Sequence, residues 1–169
     1  MNCPFQKKSP SRLLLNDEYY MSLAYNEALL AWEAGETPIG AVAVLHDEVI
    51  ASCHNSVITL NDPSAHAEML AITQSARAVG DWRLNDVTIF VTKEPCPMCS
   101  GAMIIGRVGR VVYAVPDNKM GCLGGCLSMQ TLSGFNHRPK VSSGVMRDDC
   151  LRLLQCFFEE KRLQNRNDG

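Results

Sequence analysis

Apolar positions recur with two different spacings along the chain. From Asn16 or Asp17 onward, Met21, Ala24, Tyr25, Ala28, Leu29 and Trp32 return at intervals of three and four, the period of one helix face. Gly35 stops that helix. Ile39–His46 and Val49–His54 read as strands, with Asp47-Glu48 as a hairpin turn between them. Thr59–Pro63 reads as loop. Asp62 before Pro63, or Ser64, caps a second helix that carries Met69, Ile72 and Ala76 inward and ends near Gly80. Val87–Thr92 is a buried strand, Pro97 to about Gly106 a helix, and Val108–Val115 contains another strand. Gly121, Gly124 and Gly125 mark one loop and Ser133–Pro139 a second. Val141 falls in a short strand. Asp148 or Asp149 opens a last helix through about Leu163, with Leu151, Leu154, Phe157 and Phe158 apolar.

Strands alternating with helices predict one three-layer α/β/α domain around a mixed five-stranded sheet. It spans residues 16–165, behind an arm, residues 1–15, that is expected to be loose. A length of 169 residues and 18.6 kDa suits one domain. With 46% apolar and 20% charged residues the composition is globular. No apolar run approaches the roughly 20 residues of a membrane span. Only Leu13–Leu15 follow the basic residues Lys7, Lys8 and Arg12, short of the about 7–15 residues of a secretory core. The expected location is cytoplasmic.

A net charge of −2 by itself argues against a nucleic-acid partner, but its distribution is uneven. Residues 16–99 carry three basic and twelve acidic side chains; residues 100–147 carry six basic and one acidic. The asymmetry either builds a positive face or averages out on folding. Eight cysteines stand at 3, 53, 96, 99, 122, 126, 150 and 156. Only Cys96 and Cys99 form C-x-x-C, which in an intracellular protein favours metal or redox chemistry. The others are expected to be small buried apolar residues.

Three features converge on one chemistry. His66-Ala67-Glu68 opens a helix after a proline loop. Pro95-Cys96-Pro97-Met98-Cys99 runs from a strand into a helix, and 29 residues separate His66 from Cys96. Two thiolates and one imidazole are three zinc ligands, leaving the fourth tetrahedral position for water, the mark of a catalytic site. Helix N-termini favour thiolate over thiol. His66 and Glu68 lie about 200° apart around a helix, so they converge only in its first turn. Glu68 is then a carboxylate beside the zinc water, placed for general acid–base work. A four-ligand structural site needs one more donor. Cys53, His54, Cys122 or Cys126 can supply it, and the spacing singles out none.

His66-Ala67-Glu68 with Pro95-Cys96-x-x-Cys99 is similar to the signature of the zinc-dependent cytidine and deoxycytidylate deaminase superfamily. Within it, the chain resembles the bacterial tRNA-specific adenosine deaminases from about Asp17 to Arg162. Further landmarks are Thr37-Pro38-Ile39-Gly40-Ala41, Asn55, the run Asn61–Glu68, Arg83-Leu84, Asp117, Lys119, Asn136-His137-Arg138 and Phe157-Phe158. The resemblance implies a cytidine-deaminase-like fold and one zinc ion held by His66, Cys96 and Cys99. It implies conversion of a wobble adenosine to inosine: zinc-bound hydroxide attacks C6, Glu68 shuttles protons and ammonia leaves. It implies that Asn55 bonds the flipped base or its ribose, that Pro38 and Ile39 line the base pocket, and that Asp117, Lys119, Asn136 and Phe158 meet flanking anticodon nucleotides. It also implies a homodimer joined through the helix after C-x-x-C, and an arginine tRNA as substrate.

Each of these residues has an ordinary alternative. Asn55 and Asp117-Asn118 suit turns, Phe158 suits a core, and Asn136-His137-Arg138 suits a hydrogen-bonded loop. Glu159 and Glu160 add acid where RNA binding wants base, and Cys122 and Cys126 interrupt a glycine loop. Two other functions remain open: a deaminase of free guanine, cytosine or nucleosides, and a non-catalytic zinc-bearing RNA-binding subunit.

Overall fold

The computed structural model describes residues 3–167. The chain forms α1 (Asp17–Glu33), β1 (Gly40–Leu45), β2 (Glu48–His54), α2 (Val57–Leu60), α3 (Ala67–Val79), β3 (Thr88–Lys93), α4 (Pro97–Ile105), β4 (Arg110–Val115), β5 (Lys140–Ser143) and α5 (Arg147–Asn167). The sheet order is β2-β1-β3-β4-β5. β1 pairs antiparallel with β2 and β3, whereas β3, β4 and β5 run parallel. The α/β class, the mixed sheet and its five strands are as the sequence predicts.

Alternation along the strands builds two cores. Val42, Val44, Phe90, Val112 and Ala114 face α1 and α5, where Met21, Trp32, Leu153 and Phe157 meet them. Ala41, Ala43, Ile89, Val91, Val111 and Tyr113 face the other way, toward Ala67 and Ala71 of α3 and Met103 of α4. Strands covered on both faces carry near-continuous apolar runs, which is why VAV and IFV segments read so plainly. On the α3 side the contact is largely alanine on alanine, so α3 lies close against the sheet.

Several boundaries differ from the sequence reading. The hairpin turn is His46-Asp47, not Asp47-Glu48. Both turn residues have positive φ, 49° and 65°, as a two-residue turn matching strand twist requires. The Tyr20 hydroxyl donates to the Asp47 carbonyl at 2.9 Å, tying the turn to α1. Thr59–Pro63 is not all loop, because Val57–Leu60 forms the single turn α2. Neither Asp62 nor Ser64 caps α3. The Asp62 carboxylate instead accepts from the Ser64 amide and hydroxyl at 2.8 and 2.7 Å, and the cap is His66. The buried face of α3 is Ala67, Glu68, Ala71 and Ser75; Met69, Ile72 and Ala76 are only half-buried. Periodicity favoured the bulkier residues, but close packing on alanine-lined strands selects the small ones.

Residues 3–15 form neither helix nor strand. The Lys8 amide donates to Asn26 Oδ1 at 2.7 Å, the Asn26 amide group donates back to the Lys8 carbonyl at 2.8 Å, and Phe5 stacks on Trp32 with centroids 6.0 Å apart. Of the six cysteines outside C-x-x-C, Cys53, Cys122 and Cys150 are buried and Cys126 is exposed. The expectation of small buried residues therefore fails at Cys126.

Gly40 marks where α1 crosses β1. A methyl group there would overlap the Ala24 carbonyl and the Ala28 amide of α1, both backbone and unable to move aside alone. Gly40→Ala is expected to cost about 1–3 kcal/mol through overpacking. Thermal denaturation checks this, with a midpoint falling by roughly 2–4 °C for each kcal/mol lost.

Candidate active site

The start of α3 meets the carboxyl ends of β3 and β4, the usual place for a ligand in open α/β sheets. β3 ends at Lys93, and Glu94-Pro95 leads to Cys96, the N-cap of α4, with Pro97 in its first turn. The cap backbone is extended at φ −71°, ψ 175°, and a proline early in the helix gives up an amide that has no helical partner anyway. His66, cap of α3, is likewise extended at φ −70°, ψ 149°. This resolves the angular problem of His66 and Glu68: the histidine lies outside the helix and the glutamate inside its first turn.

The Nδ1 atom of His66 is 3.7 Å from Cys96 Sγ and 3.5 Å from Cys99 Sγ, and the two sulfurs are 3.6 Å apart. These three side chains are the one His/Cys/Asp/Glu group arranged to hold a metal among the described residues. A tetrahedral zinc ion with Zn–S of about 2.3 Å and Zn–N of about 2.05 Å requires edges of about 3.8 Å between sulfurs and about 3.6 Å between sulfur and nitrogen. The residues fit the ion in donor chemistry and in spacing. The fourth-ligand candidates Cys53, His54, Cys122 and Cys126 do not join this group.

Electrostatics within the triad is tightly linked. The hydrogen bond shared by the two sulfurs draws the Cys96 thiol down to about 4 against the cost of burial, and His66 adds a further hydrogen bond. The same contact and burial push Cys99 up. His66 is raised, first by its hydrogen bond to Cys96. A divalent cation displaces such shared protons when it binds. Glu68 is 4% exposed. Burial pushes its carboxyl above the ordinary value, and its own amide and the neighbouring His66 offset this only in part. A carboxyl raised in this way holds a proton more readily than an exposed one, which suits a group that takes a proton and returns it.

Asn55 is buried at the end of β2, and its backbone amide donates to the Ile39 carbonyl at 2.9 Å. Asn55 therefore stands beside the segment holding buried Pro38 and half-buried Ile39. Its Nδ2 donates to Glu36 Oε2 at 3.0 Å. Because an ionised carboxylate only accepts, this contact orients the amide and leaves Oδ1 free to accept from another group. Glu36, itself 1% exposed, was not evident from the sequence.

Asp117, Lys119 and Phe158 line one groove of about 640 Å³ together with Lys93, Gln155 and Arg162. Lys93 Nζ pairs with Asp117 Oδ2 at 2.6 Å. Burial opposes ionisation of Asp117, but Lys93 and the amides of Lys119 and Met120 outweigh it and hold the carboxyl below its usual range. Phe158 is 44% exposed, a groove wall and not core, while its neighbour Phe157 fills the core. Asn136 lies exposed in the loop before β5, and among the described residues no hydrogen bond joins it to the triad or the groove. The next residue is the anchored one: His137 Nε2–H donates to the Val108 carbonyl at 2.7 Å. Lys93 and Arg162 escaped the sequence reading, although their charge and their position beside Glu94 and Phe158 were visible.

Comparison with known proteins gives the same picture. The sequence model of the MafB19-like deaminases matches residues 15–162. A tRNA-specific adenosine deaminase of Bacillus subtilis (strain 168) is 46% identical over 149 residues, covering 88% of this chain and 92% of its own. A structure from a study of A-to-I editing by tRNA:A34 deaminases at the wobble position superposes with a TM-score of 0.78 at 38% identity, over 80% of this chain and 99% of that one. A guanine deaminase from Bacillus subtilis superposes less completely, with a TM-score of 0.58 at 39% identity over 60% of this chain and 65% of that one. The chain matches the MafB19-like deaminase model over most of its length and belongs to the tRNA-specific adenosine deaminase family.

Proposed function

We propose that this protein hydrolyses the 6-amino group of adenosine at the wobble position of a tRNA anticodon, giving inosine and ammonia. The observation that carries the reading is the His66–Cys96–Cys99 triad, with zinc-like edges, beside the buried carboxyl of Glu68. The substrate follows from the similarity to tRNA-specific adenosine deaminases over most of the chain. His66, Cys96 and Cys99 would hold one zinc ion per chain, which supplies a Lewis acid that makes water nucleophilic at neutral pH. Glu68 takes a proton from the attacking water, and proton return to the purine ring and the departing amino group lets the C6–N bond break. Asn55 Oδ1 accepts a hydrogen bond from the flipped nucleoside, while Pro38 and Ile39 flank its base.

The groove of Asp117, Lys119 and Phe158 receives a neighbouring nucleotide. Phe158 offers a face for stacking, worth about 1–3 kcal/mol per base, and Lys119 and Arg162 offer charge to phosphate. Asn136 contributes from its exposed loop. A single-stranded anticodon loop lowers the unstacking cost of delivering the base. Among the described residues no helix is long and apolar enough to cross a membrane; a cytoplasmic location fits a tRNA substrate.

A homodimer suits the apolar surface where α3 meets α4. Ile72, Ala76, Trp82, Ala102 and Ile105 line it, and Trp82 and Ile105 are 54% and 69% exposed. Such large apolar side chains grouped on a surface mark interaction sites.

Incubation of zinc-loaded protein with a wobble-adenosine arginine tRNA, and separately with adenosine, cytidine, cytosine and guanine, tests the substrate. Digestion and mass spectrometry are expected to show inosine from the tRNA alone; conversion of guanine or a free nucleoside would replace the RNA reading. Glu68→Ala is expected to keep its zinc and lose turnover by a factor on the order of 10²–10⁴, whereas retained turnover removes Glu68 from proton transfer. Sedimentation is expected to give twice the 18.6 kDa chain mass, falling to the single mass in Ile105→Glu.

A further inference from the structure

One buried carboxylate takes no part in the chemistry above. Glu94 sits between β3 and the C-x-x-C segment and is 4% exposed. Both of its oxygens accept hydrogen bonds, and from backbone amides. Oε2 accepts from the Asp117 amide at 2.8 Å, and Oε1 accepts from the Leu123 and Gly125 amides at 3.0 and 2.8 Å. These donors span nine residues of one loop, the loop that carries Asp117 and Lys119 on the groove wall. Two backbone bonds reinforce the attachment: the Glu94 amide donates to the Val115 carbonyl at 2.8 Å, and the Cys122 amide donates to the Pro95 carbonyl at 3.0 Å.

The loop is shaped to admit the carboxylate. A Cβ at Gly121 or at Gly125 would overlap the Glu94 carboxylate and the Asp117 carbonyl. Glycine at these two places thus lets the loop backbone close around the side chain. Burying a carboxylate is costly unless hydrogen bonds compensate, and here three amides converge on it. The glutamate amide analogue cannot reproduce the arrangement, because its NH₂ group would face an N–H donor.

We infer that Glu94 is a positioning residue that clamps the groove loop, residues 117–126, to the segment leading into the metal-binding helix. It sets the distance between the flanking-nucleotide groove and the reaction centre. This inference rests on the reading of the groove as a nucleotide site. Loss of the clamp loosens Asp117 and Lys119 while His66, Glu68, Cys96 and Cys99 keep their places. The effect therefore falls on substrate binding more than on chemistry.

The test uses full-length, zinc-loaded Glu94→Gln, with Gly125→Ala as a second variant that pushes the loop off an intact Glu94. Hydrogen exchange read by mass spectrometry is expected to speed up about tenfold or more for amides within 117–126, with zinc still at one ion per chain. Loss of a charged hydrogen bond predicts KM for the tRNA rising about tenfold, with kcat held within about threefold. Unchanged exchange in both variants overturns the clamp. A fall in kcat at constant KM also overturns it, by placing Glu94 in the chemistry. If Glu94→Gln fails to fold, Gly125→Ala decides by the same criteria. Wild-type protein that does not deaminate the tRNA overturns the functional reading instead, and the exchange result still judges the clamp.

Discussion

Close approach of α3 to the sheet is the constraint on which the site depends. Ala41 and Ala43 of β1 and Ala51 of β2 face Ala67 and Ala71 of α3, so little side-chain volume separates helix from strands. That proximity brings the start of α3 to the carboxyl end of β3, where Cys96 follows. His66 can then stand 3.5–3.7 Å from two sulfurs that belong to another helix. Larger residues on either surface would lift α3 and open the triad, because packed interiors transmit such changes instead of absorbing them.

The two helix starts share a logic. Cys96 and His66 both occupy cap positions with extended backbone, and neither uses its side chain to cap its own helix. Their donor atoms are therefore free to meet each other. Unpaired amides and the helix dipole at these termini favour negative charge, which suits thiolates and a nearby carboxylate. Burial acts in the opposite sense on Glu68 and raises its carboxyl. One cluster thus holds thiols set to bind a cation beside a buried carboxyl that keeps its proton more readily than an exposed one.

Around this centre lies a ring of carboxylates whose partners are amides. Glu36 orients Asn55 and accepts from the Thr59 amide at 2.7 Å. Glu94 gathers three amides of the groove loop, and Asp117 accepts from the Lys119 amide at 2.9 Å while pairing with Lys93. Glu94 and Asp117 hold the irregular segment after β4, and Glu36 joins the end of β2 to the single turn α2. Irregular segments carry the substrate contacts in such folds, and these carboxylates supply the rigidity that the segments lack by themselves.

The sequence alone determined the features that depend on near neighbours. Strand alternation, the α1 period, the Asn16 cap region and the C-x-x-C at a strand-to-helix junction all follow from residues a few positions apart; they sufficed for the fold class, and they made His66-Ala67-Glu68 and Cys96-x-x-Cys99 legible as two local motifs. Asp62 and Ser64 have good capping side chains, yet they bond to each other and His66 stands at the cap of α3. Bulk does not predict the inward face of α3, because alanine-lined strands receive Ala67, Glu68, Ala71 and Ser75 there. Only the tertiary structure decided that Asp117, Lys119 and Phe158 share a groove, that Asn136 stands apart from it by hydrogen bonding, and that Glu36, Lys93 and Glu94 matter. The physical reason is range. Propensity and periodicity act over one or two helical turns, whereas a buried carboxylate finds amides 23 to 31 positions away, a pairing that chain folding alone creates.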